Sequence, residues 1–89
     1  MLFYVEFSPG WDKHFSKFDS SEKERILKKI NQLPFLQNQR HLRCGLPYFV
    51  TQTGQYRITY EEIGSTRKVM FAGNHKQYEK WLREQQLTL

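Results

Sequence analysis

In the second half of the 89-residue chain, a segment rich in strand-forming residues contains a single arginine. Residues 55–60 read Gln-Tyr-Arg-Ile-Thr-Tyr, and their alternation predicts a β-strand with Arg57 on one face. The other face would carry the apolar side chains of Tyr56, Ile58 and Tyr60. A guanidinium fixed on a strand is suited to bind a phosphodiester, because its forked N–H donors match phosphate oxygens.

A second segment, residues 73–79, supplies groups that can transfer protons. It reads Gly-Asn-His-Lys-Gln-Tyr-Glu and predicts a strand exit presenting His75, Lys76 and Tyr78 within four residues. An imidazole can serve as acid or base near neutral pH, and a fixed cation can stabilise charge on a reacting phosphate. We therefore predict a small, metal-free domain that cleaves or binds RNA, with Arg57, His75 and Tyr78 as candidate catalytic residues.

Each candidate also has a purely structural interpretation. Arg57 could form a strand salt bridge with Glu61 or Glu62. His75 could cap the last helix, and Tyr78 could belong to the core because it shares a helical stripe with Trp81 and Leu82.

The net charge of +5 is unevenly distributed. No Asp or Glu occurs in residues 25–60, which contain six cations, and such an excess favours a polyanionic partner. The alternative is a basic surface that is merely solvated. The candidate RNA-binding residues are Arg40, His41, Arg43, Lys68 and Lys76. The stretch His41 to Cys44 resembles half of a zinc site without a second half, so neither a metal nor a cofactor is predicted.

The elements that position these residues follow from periodicity and turn signals. Strands are expected at 2–7, 48–52, 55–62 and 67–72, with turns at Thr53-Gly54 and Gly64-Ser65. Helices are expected after Pro9, from a capping box of Ser21 and Glu24 up to Pro34, and over about 75–86. Residues 35–46 look irregular. The order β-α-α-β-β-β-α predicts an α+β domain over 1–89, with helices on one sheet face and the other face open.

Composition narrows the setting. A single cysteine excludes an internal disulfide and favours a reducing, cytoplasmic location. The sequence has no apolar run long enough for a membrane span and no signal-peptide pattern, so no membrane partner is expected.

This order and these motifs resemble the RelE/ParE superfamily of toxins from type II toxin-antitoxin systems. The resemblance extends over nearly the whole chain. It includes the initial strand, the helical hairpin, Arg40-His41-Leu42, Gly45-Leu46, the strand Gly54 to Tyr60 and the exit Gly73 to Tyr78. It implies a ribosome-dependent endoribonuclease that cuts mRNA without a metal, through attack by the 2′-hydroxyl, and that a cognate antitoxin holds inactive. Arg57 would contact the scissile phosphate, His75 would act as acid or phosphate ligand, and Tyr78 lies near the place of the family's catalytic or stacking aromatic.

One departure affects the mechanism. Where RelE-type toxins place lysines on the preceding strand, this chain has Tyr48 and Val50, so His75 or His41 would have to perform their proton transfer. Two alternative functions stay open: a ParE-like toxin acting on DNA gyrase, and a non-catalytic or degenerate RNA-binding member. We also expect Arg57 and His75 to converge in one solvent-reachable concavity, and an acidic antitoxin segment to cover the basic face.

Overall fold

A computed structural model of the protein describes residues 2–37, the backbone of 40–41, and residues 47–87. These residues form, in chain order, β1 (Tyr4–Phe7), α1 (Trp11–Phe15), α2 (Ser20–Ile30), β2 (Arg40–His41), β3 (Tyr48–Thr53), β4 (Tyr56–Ile63), β5 (Thr66–Gly73) and α3 (His75–Leu87). Within the described ranges, no helix is both long and apolar enough to cross a membrane.

The strands form one sheet in the order β1-β5-β4-β3-β2. Strand β1 runs parallel to β5, and the other neighbours are antiparallel. The tight turns between β3, β4 and β5 use Gly54 and Gly64, whose φ angles of 55° and 59° favour glycine. The predicted α+β class and element order are confirmed. The two-residue strand β2 adds pairing in a segment that the sequence suggested was irregular.

The predicted helical hairpin covers one face of the sheet. Burial of its apolar stripe explains the packing: Ile26, Ile30 and Leu33 are almost inaccessible, whereas Leu27 remains partly exposed. They meet the alternate residues of the central strands, including Tyr56, Ile58, Tyr60 and Val69. This cluster is the main core.

Helix α2 begins earlier than predicted. Asp19, not Ser21, is the N-cap, and its carboxylate accepts a hydrogen bond of 2.8 Å from the Glu22 backbone N–H. The Glu22 carboxylate in turn accepts one of 3.0 Å from the Asp19 N–H. The predicted capping box of Ser21 and Glu24 is therefore wrong by two positions, because an aspartate with extended backbone precedes Ser20 and satisfies the first free N–H groups.

Helix α3 packs on the opposite face, which corrects the expectation that this face is open. Strand register places Val50 beside Thr59 and Thr59 beside Phe71, all facing away from the hairpin. Tyr78 and Trp81 of α3 pack against Val50 and Phe71 in a second cluster. The reason is that α3 has its own apolar stripe, and the sheet face beside it supplies the surface that buries it.

A buried arginine joins the sheet to the end of the hairpin. Arg67 is 4% exposed, and its Nη1 donates to the backbone oxygens of Leu33 (2.6 Å) and Leu36 (2.7 Å). Its Nε lies 3.0 Å from a Glu62 carboxylate oxygen, and the guanidinium lies 3.8 Å from the Phe3 ring centroid. Arg67 thereby binds two carbonyl groups of the segment that follows α2.

Candidate functional site

Arg57 lies on β4, on the face that carries α3. Its half-buried side chain points away from Tyr56 and Ile58, as the alternation predicted. The guanidinium carbon lies 5.0 Å from the centroid of the Tyr78 ring, which is within cation–π distance. Glu62 binds Arg67 instead, and no ion pair within the described part of the chain involves Arg57. Its charge is therefore positioned by a ring rather than neutralised by a carboxylate.

Tyr78 is a core residue on the inner side of α3. It is 4% exposed and packs with Val50, Phe71 and Trp81. Its ring is the surface on which the Arg57 guanidinium lies. The structure therefore places Tyr78 beside the predicted phosphate ligand, with its phenol ring in the core.

His75 is the first residue of α3 but does not cap it. The cap is Asn74, whose side-chain oxygen accepts from the Gln77 N–H at 2.9 Å, while the Gln77 side chain accepts from the Asn74 N–H at 2.9 Å. His75 is exposed, and its Nε2 lies 2.9 Å from the Glu79 carboxylate. This contact uses Nε2 and not the other ring nitrogen, Nδ1.

The junction between β5 and α3 brings these residues to one end of the sheet. Gly73 pairs directly with Arg57 across the strands, and His75 follows two residues later. A Cβ on Gly73 would come within 2.6 Å of the Phe71 ring and 2.9 Å of the Gln77 side chain, so only glycine permits this close start of the helix. The junction therefore places Arg57, Tyr78 and the start of α3 in one neighbourhood.

Tyr48 and Val50, where the resemblance implied lysines, pack beneath α3. Val50 is buried, and the Tyr48 ring contacts Trp81 with centroids 5.1 Å apart. The Tyr48 hydroxyl donates to Gln85 at 3.4 Å. Burial, with a smaller effect of the Glu61 carboxylate, raises the pKa of Tyr48. A phenolate base at this position is correspondingly disfavoured.

The predicted RNA-binding residues are dispersed. Lys76 is exposed in the first turn of α3, whereas Lys68 lies farther along the sheet, paired in register with Glu61 and Glu6. Arg40 and His41 pair in backbone register with Val50 and Phe49. Arg43 and Cys44 lie outside the described residues. Within the described residues, no three His, Cys, Asp or Glu side chains cluster closely enough to hold a metal ion.

Two grooves on the surface are lined by basic side chains. The α2 groove, of about 390 Å³, is lined by Arg25, Lys28, Lys29, Gln32, Thr53 and Gly54, so it gathers three cations of the acid-free stretch. The α1–α3 groove, of about 580 Å³, is lined mainly by Lys13, His14, Lys17, Gln77, Lys80 and Glu84. The α1–α3 groove was not predicted from the sequence. The available signal was the four-residue spacing of Lys13 and Lys17.

Comparison with known proteins identifies the architecture. No family model matches the sequence, and no curated protein matches it. Among solved structures, the free E. coli RelE toxin double mutant superimposes with a TM-score of 0.69 at 21% identity, covering 92% of this chain and 93% of that one. A chain of the RelBE2 toxin-antitoxin complex of Mycobacterium tuberculosis gives 0.63 at 19% identity, covering 84% and 100%.

A chain of the RelB-RelE antitoxin-toxin complex of Methanococcus jannaschii agrees with these, with a TM-score of 0.67 at 18% identity and coverage of 86% and 98%. The matches come from several organisms and span almost the full length of each matched chain. The element order and sheet topology of this chain thus correspond to those of RelE structures, and the chain has the RelE-like toxin fold.

Proposed function

We propose that this protein is the toxin of a toxin-antitoxin pair, and that it cleaves mRNA on the ribosome without a metal. The observation that supports this most strongly is Arg57: a half-buried cation held over the Tyr78 ring, with no carboxylate partner among the described residues. A guanidinium that is positioned but not neutralised is suited to stabilise charge that develops on a phosphate. The RelE-like fold is consistent with this role.

In the proposed reaction the neighbouring 2′-hydroxyl oxygen attacks the phosphorus, and the bond from phosphorus to the 5′-oxygen breaks. The 2′-hydroxyl proton passes to a base, and an acid protonates the departing 5′-oxygen. The products are a 2′,3′-cyclic phosphate and a 5′-hydroxyl. Arg57 would contact the non-bridging oxygens, whose negative charge increases in the transition state.

His75 is the proposed proton-transfer residue. Its imidazole is exposed at the same end of the sheet as Arg57, and Glu79 binds Nε2 at 2.9 Å. A carboxylate on one ring nitrogen fixes the tautomer and orients the other nitrogen toward a substrate. In this proposal Tyr78 acts through Arg57, as the ring that positions it, rather than through its own hydroxyl.

The proposed partners are an antitoxin, mRNA and the ribosome, with action in the cytoplasm. The M. tuberculosis and M. jannaschii structures are of toxin-antitoxin complexes, and this chain shares their fold. Co-expression with the product of the adjacent gene, followed by pull-down, tests the antitoxin. A protein that its host tolerates without any such partner would contradict this part of the proposal.

A non-catalytic role is the second candidate, because Tyr48 and Val50 pack beneath α3 where RelE-type lysines would stand. Induction in a growing host, with mapping of transcript ends, separates the two roles. The wild type should arrest growth and cut translated transcripts, and His75→Ala should slow cutting by roughly a hundredfold or more. Lys68→Gln, which changes a cation at a distance from Arg57, is the control and should only weaken binding.

Two outcomes would contradict the nuclease. Growth arrest with intact transcripts would favour a binding role, and growth arrest with inhibited gyrase would favour the ParE-like alternative. Unchanged cutting by His75→Ala would remove His75 from the mechanism while leaving the RNA-cleaving activity in place.

A further inference from the structure

The α1–α3 groove is a cationic cleft that the proposed reaction does not use. Three exposed lysines line it: Lys13 in α1, Lys17 in the turn that follows α1, and Lys80 in α3. Glu84 is the single carboxylate among its lining residues. The concentration of positive charge affects His14, whose pKa is lowered by burial and then by Lys17 and Lys13. The groove therefore favours an anionic ligand.

The floor of the groove argues against a peptide as the ligand. Its aromatic side chains are nearly inaccessible: Phe18 is 9%, Phe71 5% and Trp81 7% exposed. Peptide segments are usually held by apolar side chains that enter open pockets. Here the aromatic rings pack against one another and leave little apolar surface open, and the ring centroids of Phe71 and Trp81 are stacked 5.3 Å apart. Phosphodiesters require only cations and hydrogen-bond donors, which the lysines, His14 and Gln77 supply.

The groove is adjacent to Arg57 across a single helix. Gln77 lines the groove, and the next residue, Tyr78, lies under the Arg57 guanidinium. The two sites therefore flank the first turns of α3, and a helix with its side chains is ~10–12 Å in diameter. His75 and Lys76 lie at the end of α3 around which a strand would pass from one site to the other.

We propose that the α1–α3 groove binds the phosphodiester backbone of the same RNA strand whose scissile phosphate contacts Arg57. The ligand class is single-stranded RNA, flanking the cut site, and the contacts are sequence-independent. This proposal rests on the proposed function, since it assumes an RNA substrate at Arg57. It adds a second anchoring site, formed by Lys13, Lys17 and Lys80.

The test uses a fluorescently labelled, 2′-O-methyl single-stranded RNA, which cannot be cut, titrated with purified protein at several salt concentrations. The triple variant Lys13→Gln, Lys17→Gln, Lys80→Gln should weaken binding by about tenfold to a hundredfold at low salt. If each lysine neutralises one phosphate, the slope of log affinity against log salt should become shallower by about 2. Glu84→Gln should strengthen binding by about twofold to threefold.

The matched control removes the same charge from the α2 groove, by Arg25→Gln, Lys28→Gln, Lys29→Gln. It should weaken binding by less than about threefold. All six positions lie on the surface or near it, and circular dichroism verifies that both variants are folded. Equal losses in the two triple variants would mean that net charge, not the groove, attracts RNA, and would overturn the proposal.

The remaining outcomes separate this proposal from the proposed function. A wild type that cleaves messages on the ribosome but binds no free RNA would overturn the groove alone, and one that neither binds nor cleaves RNA would contradict both. A wild type that binds and cleaves RNA, with unchanged affinity in the Lys13, Lys17, Lys80 variant, would overturn the groove alone. Poly-L-glutamate is the second probe: if it binds the groove more tightly than the RNA does, the occupant is an acidic polypeptide and the proposal is wrong.

Discussion

Replacing Arg67 by methionine tests how the sheet is joined to the helical hairpin. The substitution keeps an unbranched apolar stem and removes the guanidinium, which is 4% exposed and donates to two backbone oxygens. Each charge-assisted hydrogen bond contributes about 1.5–3 kcal/mol. The salt bridge to Glu62 adds less than about 1 kcal/mol, because that carboxylate is partly solvated.

Since neighbouring contributions do not add fully, we expect Arg67→Met to lower the free energy of unfolding by about 3–5 kcal/mol. That is a large part of the roughly 5–15 kcal/mol available to a domain. Each kcal/mol corresponds to about 4–8 °C at this size, so Tm should fall by about 12–40 °C. Arg67→Lys should cost roughly half as much, because one ammonium can replace Nη1 at Leu33 and Leu36 but cannot also replace Nε at Glu62.

Urea unfolding followed by the fluorescence of Trp11 and Trp81 provides the measurement, since both indoles are buried in the native state. The adjacent Lys68→Gln is the control and should change stability by less than about 0.5 kcal/mol. A loss of 1 kcal/mol or less in Arg67→Met would refute the reasoning. It would show that desolvation of the guanidinium cancels the hydrogen bonds to the carbonyl groups, as happens in some buried ion pairs.

Three further predictions concern single side chains. Tyr78→Phe should retain RNA cleavage within about threefold, whereas Tyr78→Leu should lose about tenfold in rate, because the ring positions Arg57 with a cation–π energy of about 1.4 kcal/mol. Cleavage assays on both variants decide, and a larger loss in the Phe variant would restore the hydroxyl as a catalytic group. Asp19→Ala should lower the free energy of unfolding by about 1 kcal/mol, and Ser21→Ala by only about 0.3 kcal/mol, because Asp19 is the N-cap. Urea unfolding of both variants checks this, and a larger loss in Ser21→Ala than in Asp19→Ala would contradict the cap assignment. Burial raises the pKa of Tyr60 to about 12, so its neutral phenol stabilises the folded state by about 2–3 kcal/mol below pH 10, and this contribution is lost as the pH rises from 10 to 12. The loss of unfolding free energy between pH 8 and pH 11 should therefore be smaller in Tyr60→Phe than in the wild type. Equal losses would contradict the shift.

Much of the fold could be predicted from the sequence because its local signals agree with one another. Alternation around Arg57 correctly separated the arginine from the core face, and glycines marked both hairpin turns. The position of α3 could not be predicted in the same way. Its apolar stripe is compatible with either face of the sheet, and only the packing of Val50 and Phe71 against it decides.

The candidate site was predicted only in part. Residue types at the strand exit indicated His75 and Tyr78, but their surroundings depend on tertiary contacts: Glu79 binds the histidine, and the tyrosine is buried. The capping box was predicted two residues too late because Asp19 and Ser21 are both good N-cap residues. The extended backbone at Asp19 makes Asp19 the N-cap. The α1–α3 groove joins two segments distant in sequence, so no local pattern could indicate it.

Single-turnover cleavage of a message on programmed ribosomes, with analysis of the product ends, tests the central claim most directly. Purified wild-type protein should generate a 2′,3′-cyclic phosphate and a 5′-hydroxyl, and a 2′-O-methyl group at the cut site should abolish the reaction. Arg57→Ala should slow cleavage by about a hundredfold to a thousandfold, as loss of a preorganised donor to the transition state does. A 3′-hydroxyl with a 5′-phosphate, or cleavage by Arg57→Ala at the wild-type rate, would contradict the account.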